Sequence, residues 1–231
     1  MPDGAATRVS YGLLNLTRRD SHEAPTKLRP GRRYKVTVRL NETAHRFGKG
    51  SRVRLALSTA YWPIVWPAPE PVTLTIHTKA SALELPVRPT RREDDRLAPF
   101  LPAESAPPLK QTWLRPAHLD WTITKDIVSG EVRYARDSDD GKRRLDEIDW
   151  TVAVRSKKVL TIRPDDPLSA RGAIETQKEF SRGSWRTRIE CQTTMSLTRR
   201  KIRITATLKA YEGGKEVFAR SWDEAMPRDQ V

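Results

Sequence analysis

The sequence predicts an all-β protein made of two antiparallel units. Apolar and polar residues alternate along most of the chain, as in residues 34–40, 148–154 and 202–208. Strict alternation is typical of antiparallel strands that have one face on a core and one face in water. No segment shows a convincing helical pattern longer than two turns. With 231 residues and seven tryptophans, the chain has enough apolar material to form a core.

The first unit comprises residues 1–88. We predict its strands near residues 6–17, 33–40, 51–60 and 71–78. Four or five strands make an incomplete sandwich, because a double-sheet jelly roll uses about eight. The turn signal Asp3-Gly4 stands almost at the first residue. We therefore expect that strands preceding this turn are missing from the chain.

A stiff connector is predicted at residues 89–117. Seven prolines lie between residues 84 and 118, together with the charge run "RREDDR". Such a composition is typical of an extended linker, since proline cannot donate a backbone hydrogen bond.

The second unit comprises residues 118–231, and we expect six or seven strands from about residue 110 onward. The turn signals Asp140-Gly141 and Gly213-Gly214 predict two hairpins. The segments "LDEI" and "DPLSA" each predict a single helical turn.

The chain is strongly basic, with a formal net charge of +14. This charge would permit binding to nucleic acid or to an anionic surface. Arginines are spread along the whole chain, however, often at every second residue of a predicted strand, which is typical of a solvated face. The sequence contains no recognition helix and no aromatic RNA-binding strand motif. Nucleic acid is therefore not an expected partner.

The single cysteine, Cys191, excludes a disulfide framework and a cysteine-based metal site. It shares strand parity with Trp185 and Ile189, which predicts a buried and inert thiol. No apolar run approaches the roughly 20 residues of a membrane span. The first residues also lack the apolar region of a signal peptide. The sequence as written therefore predicts a cytoplasmic protein without a membrane contact.

The segment "YWPIVWPAPEP" places Trp62 and Trp66 among four prolines. The two indoles could form a platform that stacks on a sugar or a substrate ring. Alternatively, the prolines form a rigid corner, since they exclude ladder hydrogen bonds, and the indoles anchor one domain against another. A tryptophan buries roughly 200 Å². The loop-like composition favours the second interpretation, an interdomain contact at Trp62 and Trp66.

Four motifs in the first unit together resemble one enzyme family. They are "G-x-L-N-L-T-x-R", "P-G-x-x-Y-x-V-x-V-x-L", "A-H-x-F-x-x-G-x-R-x-R-L-x-L" and the pair of tryptophans in "YWPIVWP". This combination resembles the C-terminal β-domain of the Xaa-Pro dipeptidyl-peptidase and cocaine esterase-like (CocE/NonD) serine hydrolases. The segments "RPDDPLSA", "RGSWRTRIE" and "SWDEAMPRD" look like the tail domain of long members of that family.

The resemblance implies a partial jelly-roll (galactose-binding-like) β-sandwich followed by a second antiparallel β domain. In the family, the jelly roll packs against an α/β-hydrolase domain that lies earlier in the chain. The opening "MPDG" matches the turn in the middle of that jelly roll. The resemblance therefore implies that the hydrolase domain and the first strands lie outside this sequence, which would be a fragment, the product of a split gene or the result of a misassigned start.

Serine hydrolysis needs a nucleophile on a sharp strand-to-helix turn, a histidine base and an orienting carboxylate. The segments around Ser51 and Ser184 lack both the spacing and the following helix, so we interpret them as loops. The resemblance assigns the triad to the hydrolase domain. The four histidines inherit no role from it, and we expect His45 to pack or hydrogen-bond within the sandwich. The histidines are His22, His45, His77 and His118.

Acidic pairs occur in "REDD", "DSDDG" and "RPDDP". We expect them to form turns, because "DSDDG" lacks the downstream glutamate of a calcium loop. The sequence therefore predicts no metal and no cofactor.

The predicted function is that of a non-catalytic C-terminal β portion of such a hydrolase, with the α/β-hydrolase domain as its partner. The alternative is a stand-alone carbohydrate- or polyanion-binding β-module. An open sheet edge would also allow self-association.

Overall fold

A computed structural model describes residues 4–228. The regular structure in this range is an eight-stranded antiparallel sheet, so the predicted all-β class is confirmed. The predicted turn at Asp3-Gly4 begins outside the described residues. Within residues 4–228, no helix has the length and hydropathy that a membrane crossing requires.

The eight strands form a meander in which each strand from β3 to β8 pairs with the next. β1 pairs with the end of β3, and β2 pairs with its beginning. The strands are β1 (Gln111–Arg115), β2 (His118–Lys125), β3 (Val132–Leu145), β4 (Trp150–Arg163), β5 (Asp166–Arg182), β6 (Trp185–Leu197), β7 (Lys201–Glu212) and β8 (Lys215–Pro227). β1 lies inside residues 89–117, so the sheet begins within the segment predicted as a connector. From residue 110 onward the structure has eight strands, whereas the sequence predicted six or seven.

The register places all five tryptophans of the sheet on one face, which we call the tryptophan face. They are Trp113, Trp121, Trp150, Trp185 and Trp222. Leu160, Met195 and Ile204 share this face, as does Cys191, which is half-buried rather than buried. The predicted alternation is therefore confirmed for the sheet.

The opposite face, which we call the charged face, carries ion pairs between strands, one across β4 from β3 to β5 and one from β7 to β8. Lys142 Nζ lies 3.1 Å from Glu179 Oε2, and Arg203 Nη2 lies 2.5 Å from Asp223 Oδ2. Pairs of this kind contribute little individually in water. They bring oppositely charged side chains together on this face, as expected for the solvated side of the sheet.

The predicted hairpin at Asp140-Gly141 is wrong, because both residues lie inside β3. The pairing of β3 with β4 slips between Asp139 and Lys142, which is a β-bulge. Gly141 has a φ of 77°, and a Cβ atom there would lie 2.6 Å from the carbonyl oxygen of Arg115. The glycine therefore permits a bulge where β3 changes its partner from β2 to β1.

The carboxylate of Asp139 holds this bulge together. The residue is 5% exposed, accepts a hydrogen bond from the Gly141 N–H at 2.8 Å, and is paired with Arg115 and with Arg155. The hydrogen bond from Arg115 is the main reason why the pKa of Asp139 is lowered, and burial acts in the opposite direction. The motif "DSDDG" is thus a structural ion-pair site.

The other predicted turns have mixed outcomes. The hairpin at Gly213-Gly214 is confirmed, since it joins β7 to β8. The helical turn in "LDEI" is confirmed as the 3-10 helix Asp146–Ile148. The helical turn in "DPLSA" is wrong, because this segment begins β5. There the Ser169 hydroxyl accepts a hydrogen bond from the Arg163 N–H at 2.8 Å, which fastens the turn between β4 and β5.

Residues 4–110 form no regular strand, so the predicted strands in residues 6–60 and 71–78 are wrong as regular elements. This part contains three short 3-10 helices, Leu16–Arg18, Thr78–Ala80 and Arg92–Arg96. A strand needs a hydrogen-bonded neighbour along its length. The described residues supply only isolated bonds between segments, such as Asn41 N–H to Tyr11 O at 2.9 Å.

Candidate functional site at the tryptophan and proline segment

Trp66 lies against the tryptophan face of the sheet. A Cβ atom on Gly172 of β5 would lie 3.2 Å from Cζ2 of Trp66 and 3.2 Å from Cδ2 of Leu160 on β4. The indole is half-buried, and it rests where the absence of a side chain leaves room for it. Gly172 is therefore a docking position for this ring.

The residue after Trp66 is fastened to the far end of the sheet. Pro67 is buried, and its carbonyl oxygen accepts a hydrogen bond from Nη2 of Arg228 at 2.6 Å. Arg228 follows β8, is only 4% exposed, and also donates from Nη1 to the Thr198 carbonyl oxygen at 3.2 Å. Burial lowers the pKa of its guanidinium. One arginine thus joins the proline-rich segment, the β6–β7 turn and the end of the last strand.

A weaker contact lies further along the segment. Arg199 Nη1 lies 3.8 Å from Glu70 Oε1, and both side chains are about seven-tenths exposed. An exposed pair of this kind contributes little to stability. It nevertheless shows that the contact with the β6–β7 turn extends past Pro67.

The other end of the segment is held by residues near the beginning of the chain. Tyr61 packs edge-on against Tyr11, with ring centroids 5.7 Å apart, and its hydroxyl accepts a hydrogen bond from Arg8. The Arg8 guanidinium lies 5.0 Å from the Tyr11 ring centroid. The segment therefore connects the first described residues to the sheet.

The two tryptophans predicted as contact residues have different surroundings. Trp66 touches the sheet, as described above. Trp62 precedes Pro63 through a cis peptide bond, and its indole N–H is buried without a hydrogen-bond partner among residues 4–228. The Trp62 indole therefore presents an unused donor within the segment.

Alternating apolar residues of the first part remain exposed, although the sequence places them on the inner face of a sandwich. Their exposed fractions range from 39% for Val36 to 60% for Val72. The set comprises Val36, Val38, Val53, Leu55, Leu57, Val72, Leu74 and Ile76. A periodic apolar row of this size is an uncovered surface, not a scatter of single residues.

The other candidate residues of the sequence lie apart from this segment. His77 Nδ1 is 3.2 Å from Arg33 Nη2, His45 packs edge-on against Phe47, and His118 stands opposite Asp139 in the sheet. Within the described part of the chain, no cluster of histidine, cysteine and carboxylate side chains could hold a metal ion.

Gly172 and Arg228 were not predicted from the sequence. Gly172 lies in the interior of a strand pattern, which signals close approach of another group. Arg228 has no comparable signal, because its partner, Pro67, is distant along the chain.

Residues 1–96 match the family model of the X-Pro dipeptidyl-peptidase C-terminal non-catalytic domain. The predicted resemblance to the C-terminal domain of X-Pro dipeptidyl-peptidases is therefore confirmed for these residues. The match includes the whole tryptophan and proline segment and ends before β1. No curated protein and no solved structure is significantly similar to the chain.

Proposed function

We propose that this chain is the non-catalytic C-terminal portion of a CocE/NonD-type serine hydrolase, and that its first part supports an α/β-hydrolase domain located on other polypeptide. The matched domain is described as the C-terminal, non-catalytic domain of X-Pro dipeptidyl-peptidases. The chain would then be a fragment of a longer protein. The serine, histidine and aspartate that perform hydrolysis would lie on the missing domain.

The exposed apolar rows of residues 36–76 are the observation that carries this proposal. A covering domain would remove these side chains from water, and each buried Å² of apolar surface contributes about 25 cal/mol. The same cover would supply hydrogen-bonded neighbours for a jelly-roll sandwich. The irregular backbone of the first part is the form expected for half of such a sandwich without its other half.

The contacts of Trp66 and Pro67 favour a structural role for the tryptophan and proline segment, namely support of the hydrolase domain. The segment is held by the sheet on one side and by Tyr11 and Arg8 on the other. In this proposal, the segment orients the first part relative to the sheet. The hydrolase domain would then meet a prearranged surface, which lowers the entropic cost of its docking.

The purified chain tests the catalytic part of the proposal. We expect no turnover of an Xaa-Pro-anilide or a p-nitrophenyl ester above the buffer rate, and no labelling by a fluorophosphonate probe. Turnover that a serine-directed inhibitor abolishes would refute the proposal. Variants Ser51→Ala and Ser184→Ala identify the serine responsible in that case.

A stand-alone carbohydrate- or polyanion-binding module is the second candidate. The five tryptophans on one face favour it, and so do the arginines that stack on them. The guanidinium carbon of Arg220, for example, lies 4.8 Å from the Trp222 ring centroid. Retention on heparin that is lost in Trp222→Ala, without loss of folding, would support this candidate over the first.

Self-association through an open edge is part of the same proposal. In β8 every residue except the half-buried Trp222 is exposed, and the strand pairs only with β7 among the described elements. Such an edge can pair with a second copy. Analytical ultracentrifugation over a concentration series measures this association.

A further inference from the structure

Two cations stand directly opposite each other on the tryptophan face. Arg136 of β3 and Lys158 of β4 are register partners. Neither is joined to a carboxylate by an ion pair within residues 4–228. Like charges at opposed positions of an antiparallel pair destabilise a sheet. An anion bound between them would remove this repulsion.

The neighbouring lysine of β4, Lys157, differs from Lys158 because carboxylates stand opposite it. Lys157 points to the charged face, where its register partners are Asp137 on β3 and Glu175 on β5. On the tryptophan face, the partner of Lys158 on β5 is Ile174. The sequence therefore balances the lysine of one face with two carboxylates and leaves the adjacent lysine of the other face without one.

Three hydroxyls form a row beside the two cations. Ser138, Ser156 and Thr176 are register partners across β3, β4 and β5 and share the face of Lys158. Their row lies two residues along the strands from the row that contains Arg136 and Lys158. Among the described residues, none of these side chains makes a hydrogen bond. A hydroxyl can donate a hydrogen bond to an anion, and two neighbouring cations can neutralise the charge of that anion. Cations and free donors thus converge on one patch.

The patch has apolar borders on both sides. Leu160 follows Lys158 on the same face and touches the docking position of Trp66. Ile174 is 36% exposed, and the Arg136 guanidinium carbon lies 5.6 Å from the Trp121 ring centroid. A purely polar ion would leave this apolar surface in water. A ligand that combines an anionic head with an apolar body would cover both parts.

We propose that Arg136, Lys158 and the hydroxyl row form a binding site for a small amphipathic anion, a carboxylate or phosphate that carries an apolar chain. Arg136 would bind the head in a bidentate manner and Lys158 would act as a point charge. A second copy of this face is a poor occupant, because its own arginine and lysine would meet these two. The site is independent of the proposed hydrolase partner, since all of its residues belong to the sheet.

Decanoate is a suitable probe, because its head and chain match the two parts of the patch. We expect saturable binding of one decanoate per chain, measured by calorimetry and by the fluorescence of the tryptophan face. Decanol at the same concentration should bind at least about tenfold more weakly, since a charge-assisted hydrogen bond is lost. Decyl phosphate should compete with decanoate for the same site.

The adjacent lysines provide a matched pair of variants. Lys158→Met should raise the Kd of decanoate by about tenfold, whereas Lys157→Met on the charged face should leave it within about twofold. Arg136→Gln should weaken binding in the same way as Lys158→Met and serves if the lysine variant does not fold. Circular dichroism checks the fold of each variant.

Three results would overturn the proposal. They are an unchanged Kd in folded Lys158→Met and Arg136→Gln, equal affinity for decanol and decanoate, and binding to phosphatidylglycerol vesicles in the absence of any binding to monomeric decanoate. A failure of this kind leaves the hydrolase proposal untouched, because that proposal is tested by turnover and serine labelling.

Discussion

Removal of the Trp66 indole should separate the proline-rich segment from the sheet. A fully buried tryptophan covers roughly 150–250 Å², which corresponds to about 4–6 kcal/mol at 25 cal/mol per Å². Because the ring is half-buried, we expect Trp66→Ala to lower the free energy of unfolding by about 3 kcal/mol. The loss should be largest for the segment and for the end of the sheet near Gly172.

A leucine at Gly172 tests the same contact from the other side. Its Cβ would lie 3.2 Å from both Trp66 and Leu160, and its longer side chain would occupy the space of the indole. Overpacking of this kind costs about 2 kcal/mol. In the double variant the leucine fills the space that the indole leaves. The combined loss should therefore be about 3 kcal/mol instead of the additive value of about 5 kcal/mol.

Gly48→Leu is the matched control, because a Cβ there meets only Ser51 Oγ at 3.9 Å. We expect a change within about 0.5 kcal/mol for this exposed position. Urea unfolding followed by circular dichroism measures all four free energies. Strict additivity of Trp66→Ala and Gly172→Leu would refute the contact between the indole and the sheet.

Other residues give further expected outcomes. Asp139→Asn should destabilise the folded chain by about 1–2 kcal/mol at neutral pH in urea unfolding, since it leaves two partly exposed arginines without their carboxylate; Asp140→Asn is the control and should change little. Because folding lowers the pKa of Asp139, its contribution is present above the ordinary aspartate pKa and is lost as the pH falls through the lower folded value. Stability measured from pH 5 to pH 2 should therefore fall less steeply in Asp139→Asn than in the parent, and parallel slopes would contradict this. Asp94 accepts a hydrogen bond from Arg88, which lowers its pKa to about 2, and an NMR titration should show a rise in Arg88→Ala. Gly213→Val should cost about 1 kcal/mol in thermal or urea unfolding, because Gly213 has a φ of 56°; an unchanged midpoint would contradict the strained turn.

The sheet was predictable because a strand has a side-chain period of two. Residues 202–208 already separate Ile204 from Arg203, and each side chain lies on the face that alternation predicts. Turn residues predicted a hairpin correctly where a glycine pair connects two long strands, as Gly213-Gly214 connects β7 to β8. These features depend on neighbours in sequence, so the sequence alone contains them.

The bulge at Asp139 was not predictable in the same way. A turn signal such as Asp140-Gly141 also suits a bulge, and the choice depends on β1, which approaches from a proline-rich segment. The contact of Trp66 with Gly172 depends likewise on residues that are remote in sequence. For residues 36–76, alternation predicted the apolar rows correctly but not their pairing, which needs neighbouring strands.

The mass of the native protein tests the central proposal most directly. An antibody to residues 118–231 would isolate the protein from its source cells for denaturing mass spectrometry and serine labelling. We predict a species well above 26.4 kDa that carries a fluorophosphonate-reactive serine, or a co-purifying hydrolase chain of that kind. A 26.4 kDa protein with no associated serine hydrolase would contradict the account.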